Sequence, residues 1–258
     1  MRTVSATRYV TPLREGGSLP AIIEAEDSGL YVLKFRGAGQ GPRTLIAELV
    51  AGEIARALGL RIPELVFVEV DADLARSEPD PEIQDLIRAS AGLNLALDYL
   101  PGSTTFDPVA DEPGELLASQ IVWFDAFVSN VDRSPRNTNM LVWHRNVWLI
   151  DQGAAFYFHH AGGDFVARAA DTFTRIRDHV LLPQASLLQQ VDDAMAARLP
   201  TNVIDAIVDL IPAGWLEAAT DDGTASAQRA GYRDYISARV LSPRHFVEEA
   251  IRARSLHL

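Results

Sequence analysis

Asp132 and Asn137 stand five residues apart in the run Asn130-Val131-Asp132-Arg133-Ser134-Pro135-Arg136-Asn137, and Asp151 follows directly before Gln152-Gly153. Carboxylate and amide oxygens are the ligands that a hard divalent cation takes, and a loop carboxylate can also orient or deprotonate a hydroxyl. Phosphoryl transfer needs both: phosphates held in line, their charge neutralised by Mg²⁺, and a carboxylate near the attacking hydroxyl. An aspartate with an asparagine five positions on is by itself a common polar turn, and its weight comes from Asp151 downstream. Asn139, two residues beyond Asn137, competes with it as an amide ligand.

The elements that must position these groups are legible in outline. Residues 115–128 read as a helix with Leu117, Ile121, Phe124 and Val128 on one stripe, delivering the chain into the Asp132 loop. Residues 140–143 and 147–150 are β-prone and joined by His144-Arg145-Asn146, a hairpin that ends at Asp151 and returns it toward the loop. Upstream, 21–25 and 30–35 read as strands around the polar turn Glu26-Asp27-Ser28-Gly29, with Lys34 pointing out of the second. Residues 44–58 show a helical recurrence closed by Gly59, and 65–70 a further strand. The acidic, proline-broken stretch 71–90 reads as a surface loop with one short helix. Strand character returns over 93–100 and stops at Pro101-Gly102, where we place a boundary between two lobes, 1–100 and 101–258. Beyond Gly163 the pattern is helical, with breaks at Pro183, Pro200, Pro212 and Pro243, the last after Ser242 as an N-cap and first-turn pair. The expected class is α+β, with a small β-rich N-terminal lobe and a mostly helical C-terminal lobe.

The stretch from Asn130 through Asn137-Thr138-Asn139-Met140-Leu141-Val142, then Trp148-Leu149-Ile150-Asp151-Gln152-Gly153-Ala154-Ala155-Phe156, resembles HipA-like kinases, relatives of the phosphatidylinositol kinases within the protein-kinase-like superfamily. The resemblance is best between about residues 34 and 160. It implies a two-lobed protein-kinase-like fold, ATP and Mg²⁺, with Asp132 as base and Asn137 and Asp151 as metal ligands. Lys34 resembles the strand lysine that kinases set against the α- and β-phosphates. Glu48 is its helix partner by resemblance, whereas Glu53 lies nearer the centre of the apolar arc. Gly16-Gly17-Ser18 could fold over the phosphates with backbone N–H groups, and Leu97, Asp98 and Tyr99 would meet adenine if they form the hinge. The sequence departs from the kinase pattern in reading Asp-Gln-Gly where Asp-Phe-Gly is usual. The chain is short for the extra N-terminal subdomain of full-length HipA toxins, so the resemblance does not carry over their DNA-bound antitoxin partnership. The acceptor is a hydroxyl, with protein Ser/Thr favoured by the resemblance.

Bulk properties set the remaining bounds. A net charge of −12 opposes attraction to nucleic acid or anionic membrane. No apolar run approaches the ~20 residues of a membrane span, and no apolar stretch follows the two N-terminal arginines as a secretory signal requires. The chain has no cysteine, and a cytoplasmic location is expected. Several rivals stay open at this point. Gly37-Ala38-Gly39-Gln40-Gly41 between strand and helix imitates a dinucleotide-binding unit, with G-x-G-x-G in place of G-x-G-x-x-G. A kinase-like fold could also be an inactive ATP-binding module or transfer a nucleotidyl group, and His159-His160 could suggest a metal site, although adjacent imidazoles are more often structural.

Overall fold

The computed structural model describes residues 1–13, 19–39, 41–160, 166–219, 224–241 and 243–256. Its first part is a closed five-stranded barrel of β1 (Thr3–Pro12), β2 (Ala21–Ala25), β3 (Leu30–Lys34), β4 (Leu65–Val70) and β5 (Gly92–Asp98), in the order β1-β2-β3-β5-β4. All neighbours are antiparallel except β1 and β4, which run parallel with Val4 opposite Val68.

The period of two sorts side chains to two destinations. Tyr31 and Leu33 of β3, Val66 and Val68 of β4, and Ala96 of β5 fill the barrel, while Leu65, Leu95 and Leu97 face the other way into the core shared with the helical part. On β3 the alternate positions, Val32 and Lys34, line a cleft.

Helix α1 (Pro42–Ala57) follows β3 with Pro42 in its first turn, where proline costs no hydrogen bond. Gly59 ends it at φ 78°, the left-handed conformation glycine takes past a helix C-terminus. The stretch 71–90 holds more helix than expected: a 3₁₀ turn at Ala72–Ser77 and α2 (Pro81–Ala89). Each is started by an aspartate, Asp71 accepting from the Asp73 N–H and Asp80 from the Glu82 N–H. Leu74, Ala75, Ile83 and Ile87 pack into the barrel core, so this acidic segment closes the barrel.

After the two-residue strand β6 (Thr104–Thr105), α3 (Glu115–Phe127) runs through the centre of the second part. Its core side is wider than the expected stripe: every residue from Ile121 to Phe127 is buried, while Leu117 is only partly so. Strands β7 (Met140–Trp143) and β8 (Asn146–Leu149) pair with β6 in a small sheet. The hairpin turn is tighter than the sequence suggests. His144 (φ 47°) and Arg145 (φ 63°) form a two-residue turn of type I′ character, so Asn146 pairs with Trp143 rather than sitting in the loop.

Short 3₁₀ turns lead to α4 (Leu188–Ala196), α5 (Thr201–Asp209), α6 (Ala213–Ala218), α7 (Ala225–Val240) and α8 (His245–Ser255). Pro200 and Pro212 are the N-cap residues of α5 and α6. Arg244 is that of α8, and Ser242, expected as the cap, lies outside the described residues. The class is therefore α+β, with a β-rich N-terminal part and a mostly helical C-terminal part. Among the described residues no helix is long and apolar enough to cross a membrane.

Candidate active site

Between the two parts lies a cleft of about 1160 Å³, walled by β3 and the 97–100 segment on one side and by the 135–141 stretch, Ile150 and Asp151 on the other. Three elements distant in sequence converge at its inner end. Lys34 of β3 is buried, with Nζ 2.7 Å from Asp151 Oδ1 and 3.7 Å from Glu48 Oε2 of α1. Burial disfavours the lysine's charge, but Glu48 and Asp151 together hold its pKa above the ordinary value. Burial likewise acts against Asp151, yet the Lys34 ammonium keeps that carboxyl below its usual range. Glu48 is raised, chiefly by burial. Its oxygens lie beside the Gln152-Gly153 backbone, whose N–H groups partly offset that burial.

Glu48, not Glu53, is thus the acidic residue facing Lys34; Glu53 pairs with Arg56 at 3.3 Å. Gly153 is required by this packing. A Cβ there would stand 2.7 Å from Thr44 Cγ2 and 3.6 Å from both Asp151 Oδ1 and Glu48 Oε2.

Asp132 sits at the centre of a small hydrogen-bond system. Its N–H donates to Asn130 Oδ1 at 3.1 Å, and its Oδ2 accepts from Asn137 Nδ2 at 3.1 Å and Asn139 Nδ2 at 3.3 Å. The two asparagines differ in placement. Asn137 is exposed at the end of a Ser134–Asn137 turn, whereas Asn139 is buried and directly precedes β7. The Asn139 carbonyl accepts from the Ile150 N–H at 3.0 Å, which puts Asn139 beside Asp151 across the open end of the hairpin. Its Nδ2 also donates to the Asp132 carbonyl at 3.0 Å, and its Oδ1 makes no hydrogen bond among the described residues. Asn139 (φ 46°) and Asp151 (φ 55°) both adopt the left-handed conformation, which is uncommon outside glycine and collects at functional sites.

At the other end of the cleft Leu97, Asp98 and Tyr99 line the wall. The N–H groups of Asp98 and Tyr99 are nevertheless committed, to the carbonyls of Glu64 at 2.8 Å and Leu30 at 2.9 Å. The Leu100 N–H, also on the cleft wall, makes no hydrogen bond among the described residues. Gly16, Gly17 and Ser18 lie outside the described residues; Leu13 and Pro20, on either side, line the cleft.

The glycines at 37, 39 and 41 do not line it, and the Gly37 N–H is taken by Ser90 Oγ at 3.0 Å. Strands β3 and β4 are separated by β5, antiparallel to both. The βαβ unit with adjacent parallel strands that a dinucleotide fold requires is therefore absent from this barrel. His159 is buried, with Nδ1 2.8 Å from the Tyr232 hydroxyl. The side chain of His160 lies outside the described set.

Sequence reasoning missed the charged cluster beneath the loop. Asp125 of α3 is fully buried, accepts from Arg133 Nε at 2.6 Å, and lies 2.8 Å from His179 Nε2. His179 Nδ1 accepts the Leu181 N–H at 3.0 Å, so Nε2 carries the proton that is shared with Asp125. Burial raises the Asp125 pKa, but Arg133 and His179 outweigh it and hold the carboxyl below its ordinary 3.8. A carboxylate amid Val122, Trp123, Phe124, Ala126 and Phe127 was the available signal, since a charge so placed must be paired.

Asp125→Ala strands the Arg133 guanidinium in the core and is expected to cost roughly 3–5 kcal/mol in denaturant unfolding. With the folded pKa depressed, this contribution to stability is fully present above pH 3.8 and is lost as pH falls through the lower folded value. Acid unfolding followed by circular dichroism should therefore show the native protein holding below pH 3.8 and the variant giving way earlier.

The donor set suits a cation that takes only part of its coordination from the protein. Asp151 and Asn139 offer hard oxygen ligands in the cleft, and no group of three or more His, Cys, Asp or Glu among the described residues forms a metal cage. Mg²⁺ and Mn²⁺ are commonly bound in this manner, through one or two carboxylates together with substrate phosphates.

The HipA-like kinase family model matches residues 7–237. A search of curated proteins gives no match. Among solved structures, the Helicobacter pylori proinflammatory kinase CtkA superposes with a TM-score of 0.54 at 13% identity, covering 99% of each chain. A Golgi casein kinase solved with Mn/ADP bound gives 0.53 at 11% identity, over 99% of this chain and 75% of that one. At these identities the structural likeness speaks for the fold.

Proposed function

The chain belongs to the HipA-like kinase family, and on that premise we propose that it binds ATP with Mg²⁺ and transfers the γ-phosphoryl group to a hydroxyl, that of a protein serine or threonine. The observation that carries this reading is the meeting of Lys34, Glu48 and Asp151 at one end of the cleft, with N···O separations of 2.7 and 3.7 Å. A buried lysine whose charge is sustained by two carboxylates is suited to phosphate oxygens. Bound Mg²⁺ would supply charge neutralisation between those phosphates and the protein.

Asp151 and Asn139 would hold the cation. Asn139 takes the part first assigned to Asn137, because it adjoins Asp151 and its Oδ1 makes no hydrogen bond among the described residues while Asp132 fixes its amide nitrogen. Asp132 would orient and deprotonate the acceptor. The Leu100 N–H, without an acceptor among the described residues, would meet the base in place of the committed N–H groups of Asp98 and Tyr99. The Golgi casein kinase solved with Mn/ADP supports a nucleotide and a divalent ion in a site of this fold.

Two outcomes are expected. Calorimetry should show ATP binding that requires Mg²⁺ and is removed by chelator, with NAD(H) inert; tight NAD(H) binding with ATP inert would overturn the reading. Between the asparagines, Asn139→Ala should weaken Mg-ATP binding and turnover by at least ~10-fold, as loss of a group governing metal affinity does. Asn137→Ala, removing one exposed hydrogen bond, should change both only slightly. The reverse ranking would return the ligand to Asn137.

A further inference from the structure

The middle residue of the Asp-Gln-Gly triplet is not spectator packing. Gln152 is fully buried, and its Oε1 accepts from Arg133 Nη2 at 2.9 Å. The same guanidinium donates through Nε to Asp125 Oδ2 at 2.6 Å and through Nη2 toward Asp125 Oδ1 at 3.4 Å. Its Nη1 donates to the carbonyls of Asn139 and Thr138. Five N–H donors thus have five acceptors, which belong to three different parts of the site's support. Asp125 anchors the fork to α3, the Thr138 and Asn139 carbonyls belong to the loop before β7, and Gln152 is the residue after Asp151.

We infer that Gln152 is a positioning residue: through Arg133 it sets the spacing between Asp151 and Asn139, and so tunes the protein's affinity for the divalent cation. This rests on the assignment of those two residues as cation ligands. The guanidinium is planar and its donor directions are fixed, so one group grips the backbone of the first ligand and the neighbour of the second. An apolar side chain at 152 would leave an Nη2 N–H without this acceptor in a closed core. The adjacent Asp151, held at φ 55°, would then lose the contact that orients the turn into Gly153. A glutamine at this position is accordingly explained by the arginine beneath it.

The test is a Mn²⁺ titration, in the presence of a non-hydrolysable ATP analogue, reading free Mn²⁺ by electron paramagnetic resonance. Gln152→Met, similar in length but lacking the carbonyl acceptor, should raise the Mn²⁺ dissociation constant about 10-fold or more, the usual size of an outer-shell effect. Its turnover at saturating metal should stay close to native. Gln152→Glu, which keeps an oxygen within reach of Nη2, should restore affinity to at least the native level. Should the methionine variant not fold, Gln152→Asn withdraws the same oxygen by one methylene and should weaken Mn²⁺ in the same sense. Native Mn²⁺ affinity in the folded Met or Asn variant, with only the melting temperature lowered, would reduce Gln152 to a structural role and overturn the inference. A native protein that takes up no Mn²⁺ would overturn the cation assignment itself, and this inference with it.

Discussion

Asp132→Asn is expected to bind Mg-ATP as the native protein does while its turnover falls by ~10²–10⁴-fold, the range of a general acid–base contribution. The substitution is chosen for what it preserves. Asp132 Oδ2 accepts from Asn137 and Asn139, and its main-chain N–H donates to Asn130, so the loop leans on this residue for its shape. Asparagine keeps one acceptor oxygen and the volume while losing basicity, separating the chemical role from the architectural one. Nucleotide affinity should be spared because Asp132 does not line the cleft wall that Lys34, Asn139 and Asp151 share. A folded Asp132→Asn protein with native turnover would remove Asp132 from the chemistry, whatever the nucleotide binding showed.

Asp151→Ala is expected to fail differently, losing Mg-ATP affinity and turnover together. Its carboxylate serves two partners in this account: the cation, whose charge would be left undercompensated, and the Lys34 ammonium at 2.7 Å. Stability should suffer less than function, because Lys34 retains Glu48 at 3.7 Å, and removal of Asp151 relieves the repulsion that helps raise the Glu48 pKa. Calorimetry and initial rates on the two variants should therefore separate, Asp132→Asn binding without turning over and Asp151→Ala doing neither. Native Mg-ATP affinity in Asp151→Ala would dissociate this residue from the metal.

Elements whose cues are local could be read from the sequence. The strand at 65–70, the α3 helix and the hairpin that returns Asp151 carry their own periodicity, and the spacing from Asp132 to Asp151 lies within one continuous stretch. Strand β1 does not read so clearly, because register shifts between Ala6 and Arg8 and between Tyr9 and Thr11 break its alternation, leaving Val4 and Tyr9 as its residues in the barrel core. The partner of Lys34 was ambiguous for a related reason. Helix α1 is buried without interruption from Leu45 to Gly52, so the centre of its apolar arc does not decide which glutamate turns inward. That choice is made by Lys34 and Gly153, which come from other elements.

The support under the loop lay further out of reach, since Asp125, Arg133, Gln152 and His179 are joined only by the packed fold. The difference between Asn137 and Asn139 was likewise invisible as spacing. It depends on a Ser134–Asn137 turn that adds residues before β7, so the asparagine next to the strand is the one that reaches Asp151.

The central claim is that γ-phosphoryl transfer occurs in this cleft, and parallel incubations of the pure protein with γ-labelled and α-labelled ATP in the presence of Mg²⁺ address it most directly. The account predicts that γ-label passes to a protein serine or threonine, that Asp132→Asn and Asp151→Ala abolish the transfer, and that α-label stays with the nucleotide. Transfer of α-label would mean nucleotidyl chemistry, and ATP binding without transfer of either label to any hydroxyl acceptor offered would mean a binding module; either result would contradict the assignment.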